Sequence, residues 1–144
     1  MATERHADVV WQGDLMNGSG TIQTVTSGVL GNLDVTWASR SEAPDGRTSP
    51  EELIAAAWAA CFSMALSNGL AKAGHTAEQL ETSATVTFQP GEGIVKGALT
   101  VRGTVPGLDE AGFVEAAEDA KKNCPVSKAL SGIPEVALEA ALAG

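Results

Sequence analysis

Residues 48–70, TSPEELIAAAWAACFSMALSNGL, constrain the fold more than any other part of the chain. From Leu53 to Leu66 only Ser63 interrupts a run of 14 apolar positions. That run is too short to cross a bilayer and suits a buried core helix, apolar on every side. Its start is well marked. Ser49 can cap the helix, Pro50 fits the first helical position, and Glu52, three after the cap, completes a capping box. Gly74 follows Leu70-Ala-Lys-Ala as a stop. A span of about 24 residues predicts a rod about 36 Å long. The five alanines between 55 and 60 leave little bulk, so another backbone can approach closely.

The flanking segments read as strands. HADVVWQGDL and SGTIQTVTSG surround Asn17–Gly18, a pair suited to a hairpin turn with positive φ at both positions. LDVTWAS then predicts a third strand, and the polar RSEAPDGRT leads into the helix. Beyond the helix, LETSATVTFQP and IVKGALTVRGTV predict a second hairpin joined at Gly91–Glu92–Gly93, with Val86 and Phe88 on one face and Thr85 and Thr87 on the other. PGLDEAGFVEAAEDAKKN reads as an amphipathic helix with its acids early and Lys121 and Lys122 late, as the helix dipole favours. CPVSKAL makes a further short turn of helix. The tail EVALEAALA alternates Val136, Leu138, Ala140 and Leu142 and is assigned as a strand, although its alanines also suit a helix. The predicted class is α+β, with antiparallel sheets from the N- and C-terminal halves around a long buried helix, in one domain spanning residues 1–144.

Bulk properties narrow the function. Apolar residues make up 44% and charged residues 19% of the chain, as in a globular protein. A formal charge of −9 argues against nucleic acid or an anionic membrane surface as partner. The polar opening MATERHADVVWQG carries no basic-then-apolar signal, so a soluble, cytoplasmic protein is expected. His6 and His75 are the only imidazoles, and the two cysteines, Cys61 and Cys124, lie 63 positions apart with no CxxC. A metal site is therefore not expected, nor is a structural disulfide framework.

The two thiols sit in different settings. Cys124 precedes Pro125 and so falls at a helix cap, where free amide N–H groups stabilise a thiolate; a tight turn between two helices explains it equally. Cys61, mid-helix, gains nothing from a helix end, and apolar surroundings make a thiol inert. It is either a small packing residue or a nucleophile served by a cation that tertiary structure delivers. Arg40 and Arg47 stand in the segment that feeds the helix, and a guanidinium holds its charge permanently. Glu51 is the nearest carboxylate free to aim one, though it also suits the helix dipole as a first-turn acid. Ten residues separate Glu51 from Cys61, about 15 Å along a straight helix, so the two cannot touch. Either an arginine spans them or a second copy of the chain supplies the carboxylate. An all-round apolar helix in so small a domain points likewise to a homodimer.

SPEELIAAAWAACFSMAL and NCPVSKAL together resemble the two cysteine motifs of the OsmC/Ohr family (osmotically inducible protein C and organic hydroperoxide resistance protein). Motif spacing, element order and total length also match, so the resemblance covers nearly the whole chain. It implies an intertwined homodimer and a thiol-dependent peroxidase that reduces organic hydroperoxides, and hydrogen peroxide as an extension, with no metal, flavin or other cofactor. Cys61 matches the peroxidatic cysteine, Cys124 the resolving cysteine and Glu51 the family glutamate. Arg40 best matches the arginine of the OsmC branch, with Arg47 as the fallback. The implied cycle passes through a Cys61 sulfenic acid and a Cys61–Cys124 disulfide, reopened by an external dithiol such as a dihydrolipoyl protein or a small dithiol. Trp58 departs from the family pattern, standing where a histidine is expected three residues before the first cysteine. It fills the core or forms an apolar pocket wall. The competing reading is a non-catalytic homodimer that binds a hydrophobic ligand, both cysteines serving as packing residues. A thiol hydrolase is disfavoured, because neither histidine lies in a motif suited to a base.

Overall fold

The computed structural model describes residues 1–143 and divides into two compact units, Met1–Leu53 and a second from Ile54 onward. The first unit holds β1 (Ala7–Gln12), β2 (Ser19–Val25), β3 (Leu33–Val35) and the short helix α1 (Trp37–Ser41). The long helix α2 (Pro50–Lys72) starts at its end and continues through the second unit. There follow β4 (Gln79–Gln89), β5 (Gly93–Thr104), α3 (Glu110–Asn123), α4 (Pro125–Ala129) and β6 (Glu135–Leu142).

The first sheet has the order β1-β2-β3 and is antiparallel throughout. Its hairpin forms where the sequence places it, but not through the Asn17–Gly18 pair. Gly13 takes the positive φ, +89°, and Asp14 closes the loop by accepting from the Asn17 N–H at 2.7 Å through its side chain and from the Gly18 N–H at 2.9 Å through its carbonyl. The aspartate competes for the backbone donors and moves the turn upstream. The third strand is also shorter than LDVTWAS suggests. Thr36 ends it by capping α1. Its hydroxyl accepts from the Ser39 N–H at 3.0 Å while Ser39 Oγ accepts from the Thr36 N–H at 2.9 Å, a reciprocal box that outweighs the strand propensity of Trp37.

In the second unit β4 and β5 pair antiparallel along their whole length, with Gly91 and Gly93 in the turn at positive φ. Inward-facing Val86 and Phe88 alternate with exposed Thr85 and Thr87. β6 joins β5 in parallel, which corrects the all-antiparallel expectation. The crossover through α3 and α4 brings the chain back to the same end of the sheet, and that geometry enforces a parallel return.

α2 is capped by Ser49, which accepts from the Glu52 N–H at 3.1 Å. The expected return bond from Glu52 is replaced by one to the Thr48 hydroxyl, which donates to Glu52 Oε2 at 2.6 Å. At the other end Gly74 has φ +87° and the His75 N–H reaches the Leu70 carbonyl at 2.8 Å, a left-handed C-terminal closure. Burial all round is not what the chain shows. Trp58, Phe62, Leu66 and Leu70, four apart, are buried, whereas Ala56, Ala57, Ala60 and Met64 are exposed, Met64 at 73%. The composition is apolar on every face, but a single sheet can cover only one stripe of a helix. By length and composition alone this 23-residue helix also suffices to cross a membrane, which the shorter uninterrupted run had argued against.

The buried stripe joins Leu99, Val101 and Val105 with Phe113 and Ala117 of α3 in one core. Two glycines of β5 admit the aromatic rings. A Cβ on Gly97 would lie 2.6 Å from the Trp58 ring, and one on Gly103 would lie 2.5 Å from Phe113.

Candidate active site

Two constellations emerge, one in each unit. In the first, α1 presents Arg40 to Glu51 in the opening turn of α2. Arg40 Nε donates to Glu51 Oε1 at 3.0 Å and Oε2 at 3.2 Å, and Nη2 donates to Oε1 at 2.8 Å. The glutamate side chain is only 7% exposed, against 32% for the arginine. Such forked, charge-assisted contact fixes the guanidinium plane as well as its position. Local bonds explain why the two meet. Ser39 Oγ reaches the Thr48 carbonyl at 3.0 Å, and the Thr48 N–H bonds the Asp34 carbonyl at 3.0 Å, so α1 is tied to the residues just before α2. Arg47 instead lies beside Asp45, 3.6 Å from its carboxylate and exposed. Of the two arginines weighed from the sequence, Arg40 is the partner of Glu51, and the pair forms within one chain.

In the second unit the cysteines come together. Cys61 Sγ and Cys124 Sγ are 3.1 Å apart, both free thiols sharing a hydrogen bond. Cys124 is completely buried, capping α4 with Pro125 at its first position, whereas Cys61 is half-buried. Burial pushes the Cys61 thiol above its ordinary value, and its hydrogen bond to Cys124 adds to this; a bond from the Val126 N–H opposes both. Burial also raises Cys124, but the neighbouring Cys61 thiol and the polar groups of Ser127 and Val126 nearby favour its thiolate and hold it below the ordinary value. Two thiols this close titrate as a coupled pair, with Cys61 shifted up and Cys124 shifted down.

Cys61 opens onto a groove of about 1110 Å³ between α2 and α3, lined by Ala57, Ala60, Met64, Ala65, Leu108 and Ala116 among others. The walls are mainly apolar, as suits a hydrocarbon chain. Trp58 is not part of this wall. It is 1% exposed, lies on the buried stripe, and donates its indole N–H to Ser127 Oγ at 2.8 Å. Of its two anticipated roles, the structure gives it the core. Ser127 is the residue that spacing passed over. Its one side-chain bond joins α4 to α2 across 69 positions, which no local spacing could signal. Among the described residues no group of three or more His, Cys, Asp or Glu side chains is arranged to hold a metal ion.

Comparison with known proteins shows the family of the chain. A family model described as OsmC-like protein matches residues 43–139. Peroxiredoxin OsmC of Escherichia coli (strain K12) is 42% identical over 133 residues, covering 90% of this chain and 92% of the relative. The crystal structure of the organic hydroperoxide resistance protein OhrB of Bacillus subtilis matches at TM-score 0.65 and 28% identity, over 96% of this chain and 98% of that one. An organic hydroperoxide resistance protein from Elizabethkingia anophelis matches at TM-score 0.71 and 25% identity, over 99% and 100% of the two chains.

Proposed function

Because this chain belongs to the OsmC-like protein family, we propose that it is a cysteine-based peroxidase that reduces organic hydroperoxides. The observation that carries this reading is the pair of free sulfurs 3.1 Å apart, one facing an apolar groove and the other sealed behind it. That arrangement gives a peroxide access to one thiol and keeps the second ready to trap the product. The names of the relatives, a peroxiredoxin and organic hydroperoxide resistance proteins, support the same class of substrate.

Each step uses one named sulfur. Cys61 thiolate attacks the terminal oxygen of ROOH; the O–O bond breaks, the alkoxide takes a proton and leaves as alcohol, and Cys61 becomes a sulfenic acid. Cys124 then attacks the Cys61 sulfur, hydroxide is expelled as water, and a disulfide forms. An external dithiol, of dihydrolipoyl type or small, restores both thiols in exchange for its own oxidation. Since burial raises the Cys61 thiol while Cys124 is held lower, ionising Cys61 calls for a cation. We assign that task to Arg40, with Glu51 fixing its fork. Burial of an alkyl tail in the groove stabilises binding by about 25 cal/mol per Å², which favours organic over hydrogen peroxide.

A homodimer belongs to this reading. The first unit buries one large apolar side chain, Ile22, while Val9, Val10 and Trp11 of β1 are exposed together. The alanine face of α2 is exposed as well. Surfaces of this kind call for a second copy.

Titration of free thiols before and after one equivalent of cumene hydroperoxide tests the proposal. Two thiols per chain should disappear as an intramolecular disulfide. Full retention of both would instead favour a non-catalytic binder of hydrophobic ligands, for which the groove next to Cys61 is the site.

A further inference from the structure

We propose that Cys61 and Cys124 form a binding site for monosubstituted trivalent arsenicals, which carry one carbon group and two hydroxyls on arsenic: both sulfurs bond the arsenic and the carbon group lies in the apolar groove. This goes beyond the peroxidase reading and does not rest on it, since it needs only two reduced thiols in the geometry described.

Two sulfurs alone can hold few things. The chain has two cysteines, and among the described residues no group of three or more His, Cys, Asp or Glu side chains is placed to hold a metal ion. A zinc-type site asks for three or four protein ligands, so it is not met here. Thiolates select soft centres, and the occupant must bring its remaining substituents with it. The spacing of the sulfurs then separates the soft candidates. Cys61 Sγ and Cys124 Sγ are 3.1 Å apart, both free. A linear ion such as mercury(II) or copper(I) holds its sulfurs about 4.6 Å apart, taking a metal–sulfur bond of about 2.3 Å. A pyramidal centre with bonds of that length and angles near a right angle holds them about 3.3 Å apart. Trivalent arsenic is such a centre. The pair is already spaced for it, whereas a linear ion would have to push α2 and α4 apart.

Access sets the order of bonding. Cys61 lines the groove of about 1110 Å³, whereas Cys124 is 0% exposed. The arsenical therefore meets Cys61 first, and closure onto Cys124 follows at the high effective concentration of a fixed neighbour. Each thiol gives its proton to a departing hydroxide. Two As–O and two S–H bonds break, two As–S bonds form, two waters leave, and no atom changes oxidation state. The carbon group is left on the groove side, where Ala57, Met64 and Ala65 stand one turn of α2 from Cys61. Those walls favour an aryl or alkyl group over the third hydroxyl of arsenite.

Phenylarsine oxide, whose hydrated form has this composition, is the probe. One equivalent added to the reduced full-length protein should give a one-to-one adduct by intact mass and leave no titratable thiol. Dimercaptopropanol should release it, whereas mercaptoethanol at the same sulfur concentration should not. Cys61→Ser and Cys124→Ser should each weaken binding by about a hundredfold or more, because each loses the ring. Phenylarsine oxide should also bind at least about tenfold more tightly than arsenite, through the apolar area its ring buries. Should Cys124→Ser fail to fold, Cys124→Ala carries the same prediction. One thiol left titratable, equal release by both reagents, wild-type affinity in a single-cysteine variant, or no preference over arsenite would overturn the proposal. Cumene hydroperoxide keeps the two readings apart. A protein that binds arsenic through both sulfurs yet keeps both thiols in the peroxide refutes the peroxidase reading alone. One that forms the disulfide yet binds arsenic through Cys61 only refutes this proposal alone.

Discussion

The two units differ in how far each completes itself. From Ile54 onward the chain has a closed core: an aromatic and leucine stripe on α2, three aliphatic positions of β5 and neighbouring residues, and the inner face of α3. The first 53 residues have a three-stranded sheet with β1 wholly exposed and one large buried apolar residue. A sheet of that size gains stability only when a face is covered. The unit with the core holds the sulfurs; the unit without it holds the guanidinium and its carboxylate. The thiol pair thus sits on the unit with its own core, while the ion pair sits on the unit whose stability we expect to depend on a second copy.

The sharpest break of this comparison is Cys61→Ser, expected to reduce hydroperoxide consumption to the buffer background while leaving the melting temperature nearly unchanged. Residual full turnover would move the chemistry elsewhere. Phe113→Ala removes a fully buried ring from the closed core and should cost about 3–5 kcal/mol in urea unfolding. Val9→Ala, exposed on β1, should cost within about 0.5 kcal/mol in a monomer and clearly more if a partner covers that face. Protein-concentration dependence of the midpoint tells the two apart. Gly97→Ala, which drives a methyl group into the Trp58 ring, should cost about 1–3 kcal/mol. Arg40→Ala should slow Cys61 oxidation about tenfold, or about 1.4 kcal/mol in barrier. Because a thiolate is the nucleophile and burial already raises Cys61, its rate should rise with pH and the profile should shift upward in this variant. Arg47→Ala should leave the profile in place. Thr36→Ala, which loses the α1 cap, should cost about 1 kcal/mol.

Much of the second unit was legible because its signals are long and periodic. The β4–β5 alternation, the acid-to-base gradient of α3 and Pro125 beside Cys124 all specify local structure directly. In the first unit the deciding contacts are short side-chain bonds. Asp14 captures the turn that Asn17–Gly18 advertises, and the Thr36–Ser39 box makes a helix of a segment rich in strand formers. That box was visible as Thr36-x-x-Ser39 but stood outside the usual Glu or Gln form. That Glu51 could aim Arg40 or Arg47 was legible from the residues, and the resemblance favoured Arg40; the meeting itself depends on Thr48 holding two segments together, which spacing does not give. Likewise, apolar composition says that α2 must be covered but not by what. The parallel return of β6 is a property of the crossover rather than of any strand residue.

The short gap between Cys61 and Cys124 closes over a sequence separation of 63 positions. Bridging these sulfurs would turn most of the second unit into a covalent ring, lowering the freedom of the unfolded chain by about 4 kcal/mol on a chain-entropy basis. The oxidised and reduced proteins are then two materials of unequal durability. Under the proposed cycle each round would tighten the scaffold and loosen it again, and heat or a protease should find the protein most vulnerable just after it has been recharged.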